Sequence, residues 1–344
     1  MKTYNNLFNK ICSFQNLHLA YLKARKCKRY RNEILKFSYN LETNLTDLQK
    51  ELSNQTYKHG SYREFTVCDL KKRQIKAPCF RDRVVHHALC NVIEPIFDKG
   101  FIYSSFACRR QKGTHKAIKR LKRFIKSAKT KSFSNLYCLE CDISKYFDSI
   151  NQNILFSLVQ QKIRDKKVLW LIKRILDSSC KEINTGIPIG NLTSQLFANI
   201  YLNELDKFTK HKLRIKYYIR YMDDFLILDY NKTRIHQIKE KIQEFLQNKL
   251  RLKLHPKKAN VFPVKKSINF LGYQIFNNHM LLRKNTVKRF IKRIKVYQIK
   301  LIKRTITKEK FNNSLDSWMI YAGFANSWRL RKDLSRKLGL ILIN

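Results

Sequence analysis

The spacing of apolar positions changes several times along the chain, and each change marks an element. Through residues 1–60, Leu, Ile and Phe recur at helical spacing among basic residues, which predicts helices. From Tyr62 to Lys76 the pattern becomes strand-like and polar, ending at Pro78, and helical spacing resumes from Asp82 to Phe97. Residues 114–128 predict a strongly basic helix, closed by the polar stretch Lys129 to Asn135. Leu136 to Ile143 reads as an apolar strand with Asp142 near its end, followed by helices over roughly 151–180 and 193–212. Two short apolar runs, Tyr217 to Ile219 and Phe225 to Leu228, flank Tyr221-Met222-Asp223-Asp224 and predict a hairpin with adjacent carboxylates at its turn. A helix from about Thr233 to Leu250 comes next, then a second hairpin from Ser267 to Leu282 turning at Asn277-Asn278. From Lys284 onward the chain is helical and heavily charged. Strands interleaved with helices in this order predict an α+β fold with a site on one face of its sheet.

Composition changes what those acids mean. The chain has 344 residues, with 72 Lys+Arg against 25 Asp+Glu and a formal net charge of +47, which is far more than solubility needs. Such a field attracts a polyanion. The basic residues run through the whole sequence, with no lipidation signal and no apolar stretch long enough to span a bilayer, so a long nucleic acid fits better than a membrane. A hydrophobic content of 44% is enough for real cores, and eight Gly and five Pro argue against long flexible linkers. Nine Cys, an odd number without a signal peptide, point to a reducing cytosol. Cys138 and Cys141 form a C-x-x-C with no second pair at zinc spacing, and read as buried thiols. His86-His87, set among Val84, Val85, Ala88 and Leu89, reads as helix surface and core edge.

Adjacent carboxylates at a turn repel one another unless a cation offsets them, and hard oxygen donors favour Mg²⁺. An ordinary exposed polar turn accounts for the same residues, since Asp is common in turns. The charge balance favours the metal, because phosphoryl transfer on nucleic acid needs carboxylates and a basic surround together. If the strand ending at Asp142 lies beside the hairpin, three carboxylates converge. They can then hold two Mg²⁺ about 4 Å apart, as in-line nucleotidyl transfer requires.

Further motifs follow in order. They are Arg73-Gln74-Ile75, Asp82 to Ala88, Ser105 to Arg109 with Gly113-Thr114-His115, Asp142 to Asp148, Gly186 to Gln195, Tyr221 to Asp224, Leu254 to Lys258, and Phe270 to Tyr273. Together they resemble the successive blocks of the reverse transcriptases over about residues 60–275. The resemblance implies a right-hand polymerase: a basic helical N-terminal extension over 1–60, fingers and palm over 61–283, and a helical basic thumb over 284–344.

By that resemblance Asp142, Asp223 and Asp224 are the catalytic, metal-binding acids, with two Mg²⁺ as cofactor and Mn²⁺ as an alternative. Phe147 matches the aromatic residue that excludes a 2′-hydroxyl, although an ordinary core Phe would show the same spacing. Arg73 and Arg109 match residues that hold the incoming triphosphate through the Arg fork. Ile189, Gly190 and Gln195 match the block beside the nascent pair. Lys258 matches a lysine near the leaving phosphate, with Lys257 equally eligible. Phe270, Leu271 and Gly272 match the primer grip, or form a core hairpin, or do both.

The block Ile189-Gly190-Asn191-Leu192-Thr193-Ser194-Gln195 resembles that of diversity-generating retroelement reverse transcriptases, within a group II intron-like bacterial background. These copy a template-repeat RNA with errors at adenines, and the cDNA replaces a variable repeat. The implied partners are template RNA, a DNA or cDNA primer, dNTPs and a small basic accessory protein, in the cytoplasm and without a membrane. The length suggests no room for maturase, DNA-binding or endonuclease extensions. The alternatives are another prokaryotic reverse transcriptase, of the defence or shortened intron type, and a non-catalytic RNA-binding protein on the same fold.

Overall fold

The computed structural model describes residues 2–68, 72–129, 136–178 and 184–338; the polar stretch 130–135, the end of the helix expected to reach 180, and residues 339–344 lie outside that description. The chain opens with α1 (Phe8–Cys12), α2 (Phe14–Ala24), α3 (Asn32–Tyr39) and α4 (Leu41–Ser53). Ser13 caps α2, its hydroxyl accepting from the Asn16 amide at 3.3 Å. Leu17, Ala20 and Tyr21 of α2 share a core with Val84, Val85 and Leu89 of α5 (Phe80–Asp98). Between these helices lies an antiparallel hairpin, β1 (Tyr62–Cys68) and β2 (Lys72–Pro78), in which Val67 faces Arg73. The strand-like polar stretch read from Tyr62 to Lys76 is thus a pair of strands.

The central sheet has the order β4-β5-β3-β6, from β3 (Tyr137–Cys141), β4 (Tyr217–Tyr221), β5 (Asp224–Asp229) and β6 (Asn260–Pro263), all antiparallel. Strands β3, β4 and β5 carry buried apolar residues on both faces because both are covered. Leu139, Cys141, Tyr218, Phe225 and Ile227 join the core that contains α5, whereas Cys138, Tyr217, Ile219, Leu226 and Leu228 join a second core. This alternation follows the two-residue period of a strand. The second core is completed by Ala117, Ile118, Leu121, Phe124 and Ile125 of α6 (Thr114–Lys129). Lys116, Lys119, Lys122, Arg123 and Lys126 line the other side of α6 and are exposed.

After β3 come α7 (Tyr146–Ser149), α8 (Gln152–Gln160) and α9 (Lys166–Asp177). The one helix expected over 151–180 is thus two, because Asp165 caps a fresh start by accepting from the Lys167 and Val168 amides at 3.1 and 3.3 Å. Helix α10 (Leu192–Lys207) ends in a π-helical turn, Phe208–Lys212, and α11 (Lys232–Leu250) follows the hairpin. A small sheet, β7 (Ile268–Phe270), β8 (Tyr273–Ile275) and β9 (Met280–Leu282), leads into α12 (Lys284–Ile302), α13 (Lys308–Gly323) and α14 (Trp328–Lys337). The expected turn at Asn277-Asn278 joins β8 to β9, and Leu271-Gly272 adds a second turn between β7 and β8. Phe290 of α12 stacks on Trp318 of α13 with ring centroids 3.7 Å apart.

Cys138 and Cys141 are buried free thiols, and burial raises both well above the usual thiol range, Cys141 to about 12. Among the described residues no helix is long and apolar enough to cross a membrane.

Candidate active site

Strand register brings the acids together. Cys141 of β3 faces Phe225 of β5, so Asp142, the next residue, stands beside Asp224 at the mouth of the β4–β5 turn. Tyr221 pairs with Asp224, which leaves Met222 and Asp223 as a two-residue turn. Met222 takes a left-handed φ of 57°, uncommon for a side chain of this kind. The backbone of Asp142 is fixed from the opposite side, where its carbonyl accepts from the His255 amide at 2.7 Å, and the Ser144 amide donates to Lys253 at 2.9 Å. This also carries the 254–258 segment to the acids. Lys258 donates to Oδ2 of Asp142, and its neighbour Lys257 is exposed.

The carboxylates strain against one another. Burial, then Asp223 and Asp142, push Asp224 up to about 7. Burial and then Asp142 raise Asp223, against the pull of Lys258 and Arg73. Glu140 is also raised by burial and by Asp142, opposed by Arg283 and Lys258. In Lys258, burial works against the charge, but Asp142, Asp224 and Asp223 outweigh it and raise the ammonium. An all-oxygen donor set in which Asp223 and Asp224 are driven toward protonation suits a hard divalent cation. Among the described residues no three His, Cys, Asp or Glu close around one point as they stand, and Asp142 is engaged by Lys258. The donors therefore fit such an ion in kind.

Arg73 on β2 is exposed and lies close enough to the acids for its charge to act on Asp223. The 186–195 block sits beneath the same hairpin. The Lys76 amide donates to the Ile189 carbonyl at 3.0 Å, and a Cβ on Gly190, whose φ is 130°, would lie 2.8 Å from the Lys76 carbonyl. Gly190 is thus required by a close backbone approach. The Ile187 amide donates to the Phe147 carbonyl at 2.9 Å, so half-buried Phe147, packed edge-on to Tyr146, lies next to this block. Gln195 is exposed in the first turn of α10.

Arg109 departs from expectation. Its Nε donates to Asp98 at 2.6 Å, Nη1 to the carbonyls of Ile102 and Ser105 at 2.7 and 2.9 Å, and Nη2 to the Asp98 carbonyl at 3.4 Å. A fork spent on its own loop and packed over Phe101 is a loop staple, not an arm free to hold a triphosphate. His86 departs as well. It is fully buried, bonded to His59 and to Thr193 at 3.2 and 3.0 Å, and burial lowers it to about 3, so it is neutral. Phe270 is buried in the second core. Leu271 and Gly272 form a tight turn with φ of 50° and 89°, clamped from α12 and α13 by Thr286 and Tyr321.

The buried pair Arg220–Asp206 was not anticipated. Burial opposes the charge of Arg220, but Asp206 outweighs it and holds the guanidinium charged. Its Nη1 also reaches the Met222 carbonyl at 3.1 Å. The signal available was a lone Arg inside the apolar run Tyr217 to Leu228.

Comparison with known proteins agrees with this geometry. The chain is 26% identical over 254 residues to protein YkfC of Escherichia coli K12, covering 63% of this chain and 65% of YkfC. It is 27% identical over 287 residues to the group II intron-encoded protein LtrA of Lactococcus lactis subsp. cremoris, covering 64% of this chain and 46% of LtrA. The chain thus spans less than two thirds of the length of either relative. Among solved structures, apo telomerase from Candida tropicalis matches with a TM-score of 0.52 and 14% identity over 65% of this chain and 49% of that one. Telomerase from Candida albicans, in complex with a fragment of telomeric RNA, matches with a TM-score of 0.51 and 12% identity over 78% of this chain and 55% of that one. These likenesses show a shared fold. The family model described as reverse transcriptase (RNA-dependent DNA polymerase) matches residues 58–275, the span that holds the acid cluster, the hairpin above it and the 186–195 block, and the chain belongs to that family.

Proposed function

We propose that this chain is an RNA-directed DNA polymerase whose catalytic acids are Asp142, Asp223 and Asp224. The observation that carries the reading is the register of β3 against β5, which sets Asp142 beside the Asp223-Asp224 turn within the matched span. Magnesium ions held by these acids would activate a primer 3′-hydroxyl and neutralise the leaving pyrophosphate. Arg73, projecting from the fingers hairpin toward Asp223, orients the incoming triphosphate, and Phe147 crowds the sugar so that a 2′-hydroxyl is excluded. Residues 61–283 serve as fingers and palm and 284–344 as thumb, with 1–60 packed against α5 as an N-terminal extension. Template RNA, primer and dNTPs are its substrates.

Within that activity we assign the chain to the diversity-generating type, which works with a small basic accessory protein. The support is Ile189-Gly190-Asn191, where a branched apolar residue, its carbonyl held by the Lys76 amide of β2, stands in place of an amide able to hydrogen-bond near the nascent pair. A group II intron-type enzyme is the second reading, favoured by the likeness to LtrA. Primer extension on an RNA template with Mg²⁺ and dNTPs, comparing wild type with Asp223→Ala and sequencing the cDNA, tests both. Extension lost in the variant supports the polymerase. Errors concentrated opposite adenines support diversification, and an even, low error spectrum moves the assignment to the intron type. Absence of cDNA with cognate RNA and accessory protein overturns the polymerase reading.

A further inference from the structure

A fully buried ion pair sits directly behind the Asp223 turn. Arg220 lies on the face of β4 that looks toward α10, and both it and Asp206 have no exposed side-chain surface. The pair is bidentate, with Nε to Oδ1 at 2.7 Å and Nη2 to Oδ2 at 2.6 Å. Tyr218 donates its hydroxyl to the same Asp206 carboxylate at 2.7 Å, so the acid is held independently of the guanidinium. The remaining arm, Nη1, is shared between Oδ1 of Asn199 at 3.3 Å and the carbonyl of Met222 at 3.1 Å. Asn199 in turn donates to the Ala107 carbonyl at 2.9 Å. The backbone of Arg220 is pinned as well, its amide donating to Ser104 at 2.9 Å and its carbonyl accepting from Phe106 at 3.0 Å.

Burying two charges costs hydration that their attraction barely offsets, so such a pair is a weak source of stability by itself. What it does supply here is direction. The Met222 carbonyl belongs to a residue with left-handed φ, in a turn whose other central residue is Asp223. Such a turn persists only when its surroundings over-determine it. A planar fork fixed on two sides by Asp206, with its third nitrogen on the turn carbonyl, does so.

We infer that Arg220, oriented by Asp206, is a positioning residue that locks the Met222-Asp223 turn and so sets the spacing of the acids. Lysine cannot replace it, because a single ammonium cannot span both Asp206 oxygens and the Met222 carbonyl. The inference rests on the proposed role of the acids in holding divalent ions.

The test is a Mn²⁺ titration of the full chain without nucleic acid, on wild type, Arg220→Lys and the apolar pair Arg220→Met with Asp206→Leu. The double variant removes both charges together, which avoids leaving one of them buried and unpaired. Both variants are expected to keep the wild-type circular dichroism spectrum and to weaken Mn²⁺ binding by about 10-fold or more, as loss of an outer support does at metal sites. In primer extension kcat should fall while the KM for dNTP stays near wild type. Wild-type Mn²⁺ affinity in either folded variant overturns the inference. Asp223→Asn in the same titration separates the two readings. If it leaves Mn²⁺ binding unchanged, the acids are not the ion site and the functional reading fails. Amide exchange of residues 221–225 then decides the positioning claim, with faster exchange in Arg220→Lys supporting it and unchanged exchange overturning it.

Discussion

Lys258 donates to the carboxylate of Asp142, one of the three acids proposed to hold divalent ions. An ammonium in that place offsets the charge of the crowded acids and would compete with a cation for that oxygen of Asp142. Lys258→Met therefore removes a competitor. Mn²⁺ is expected to bind this variant more tightly than wild type, and if Lys258 also serves the leaving phosphate, primer extension slows. The Lys258 side chain is 41% exposed, so thermal stability should move by less than about 1 kcal/mol. Weaker Mn²⁺ binding in a folded Lys258→Met protein would sink this account.

The acids also set a pH dependence. Asp224 is pushed up to about 7 and Asp223 is raised in the same direction. A carboxyl whose folded pKa lies above its unfolded value binds its proton more tightly when folded, so its contribution favours the native state at low pH and is lost as pH rises through the folded value. Between about pH 4 and 7, then, this site's contribution to stability falls as pH rises. A divalent cation supplies the missing charge, so the gain in melting temperature on adding Mg²⁺ should be larger at pH 7.5 than at pH 5.5. In Asp224→Asn that difference should shrink. A Mg²⁺ effect independent of pH, in wild type and variant alike, would contradict the raised carboxyl.

Much of this site was legible in the sequence because its parts are local. The apolar runs on either side of Tyr221 to Asp224 announce a hairpin, and Leu136 to Ile143 announces a strand ending in an acid. The register that joins them was not legible, nor was the Lys258 contact, since both depend on partners more than eighty residues away. The bonds of Arg109 and the Arg220–Asp206 pair were not legible for one common reason. A sequence full of Lys and Arg gives no sign of which few are buried, and Asp98 and Asp206 look like ordinary helix-end acids until the fold places them. The break between α8 and α9 was hidden because helical spacing runs through Asp165, whose capping role shows only in its bonds to the backbone.

The net charge of +47 leads to a prediction for RNA binding. Each phosphate neutralised by a Lys or Arg releases a counterion, and an interface of six to ten such contacts loses about 10³–10⁵ in affinity between 50 and 200 mM salt. Filter binding of a structured RNA at these two ionic strengths should show a loss of that order. A flat response would mean that phosphate contacts do not dominate.

Gly190 is where the hairpin over the site meets the 186–195 block. An added methyl would lie 2.8 Å from the Lys76 carbonyl, at a φ that L side chains rarely adopt, and the neighbouring Lys76–Ile189 hydrogen bond leaves the backbone little room to yield. Gly190→Ala is expected to cost about 1–3 kcal/mol in urea unfolding. Protease sensitivity within residues 62–78 should rise, because β2 loses its seat. A wild-type unfolding midpoint would show that the contact relaxes freely.

Arg109 separates two roles that its sequence position confuses. As a triphosphate ligand it would matter chiefly to the KM for dNTP. As a staple joining Asp98, Ile102 and Ser105 it matters to folding, because those bonds tie its loop to the end of α5 and its side chain is only 7% exposed. Arg109→Lys keeps the charge but lacks the donors to reach all three partners, leaving carbonyls unpaired at about 1–3 kcal/mol each where they are buried. The expected outcome is a lower unfolding midpoint with a KM for dNTP near wild type in the protein that remains folded. A stable variant with KM raised tenfold would return Arg109 to the nucleotide.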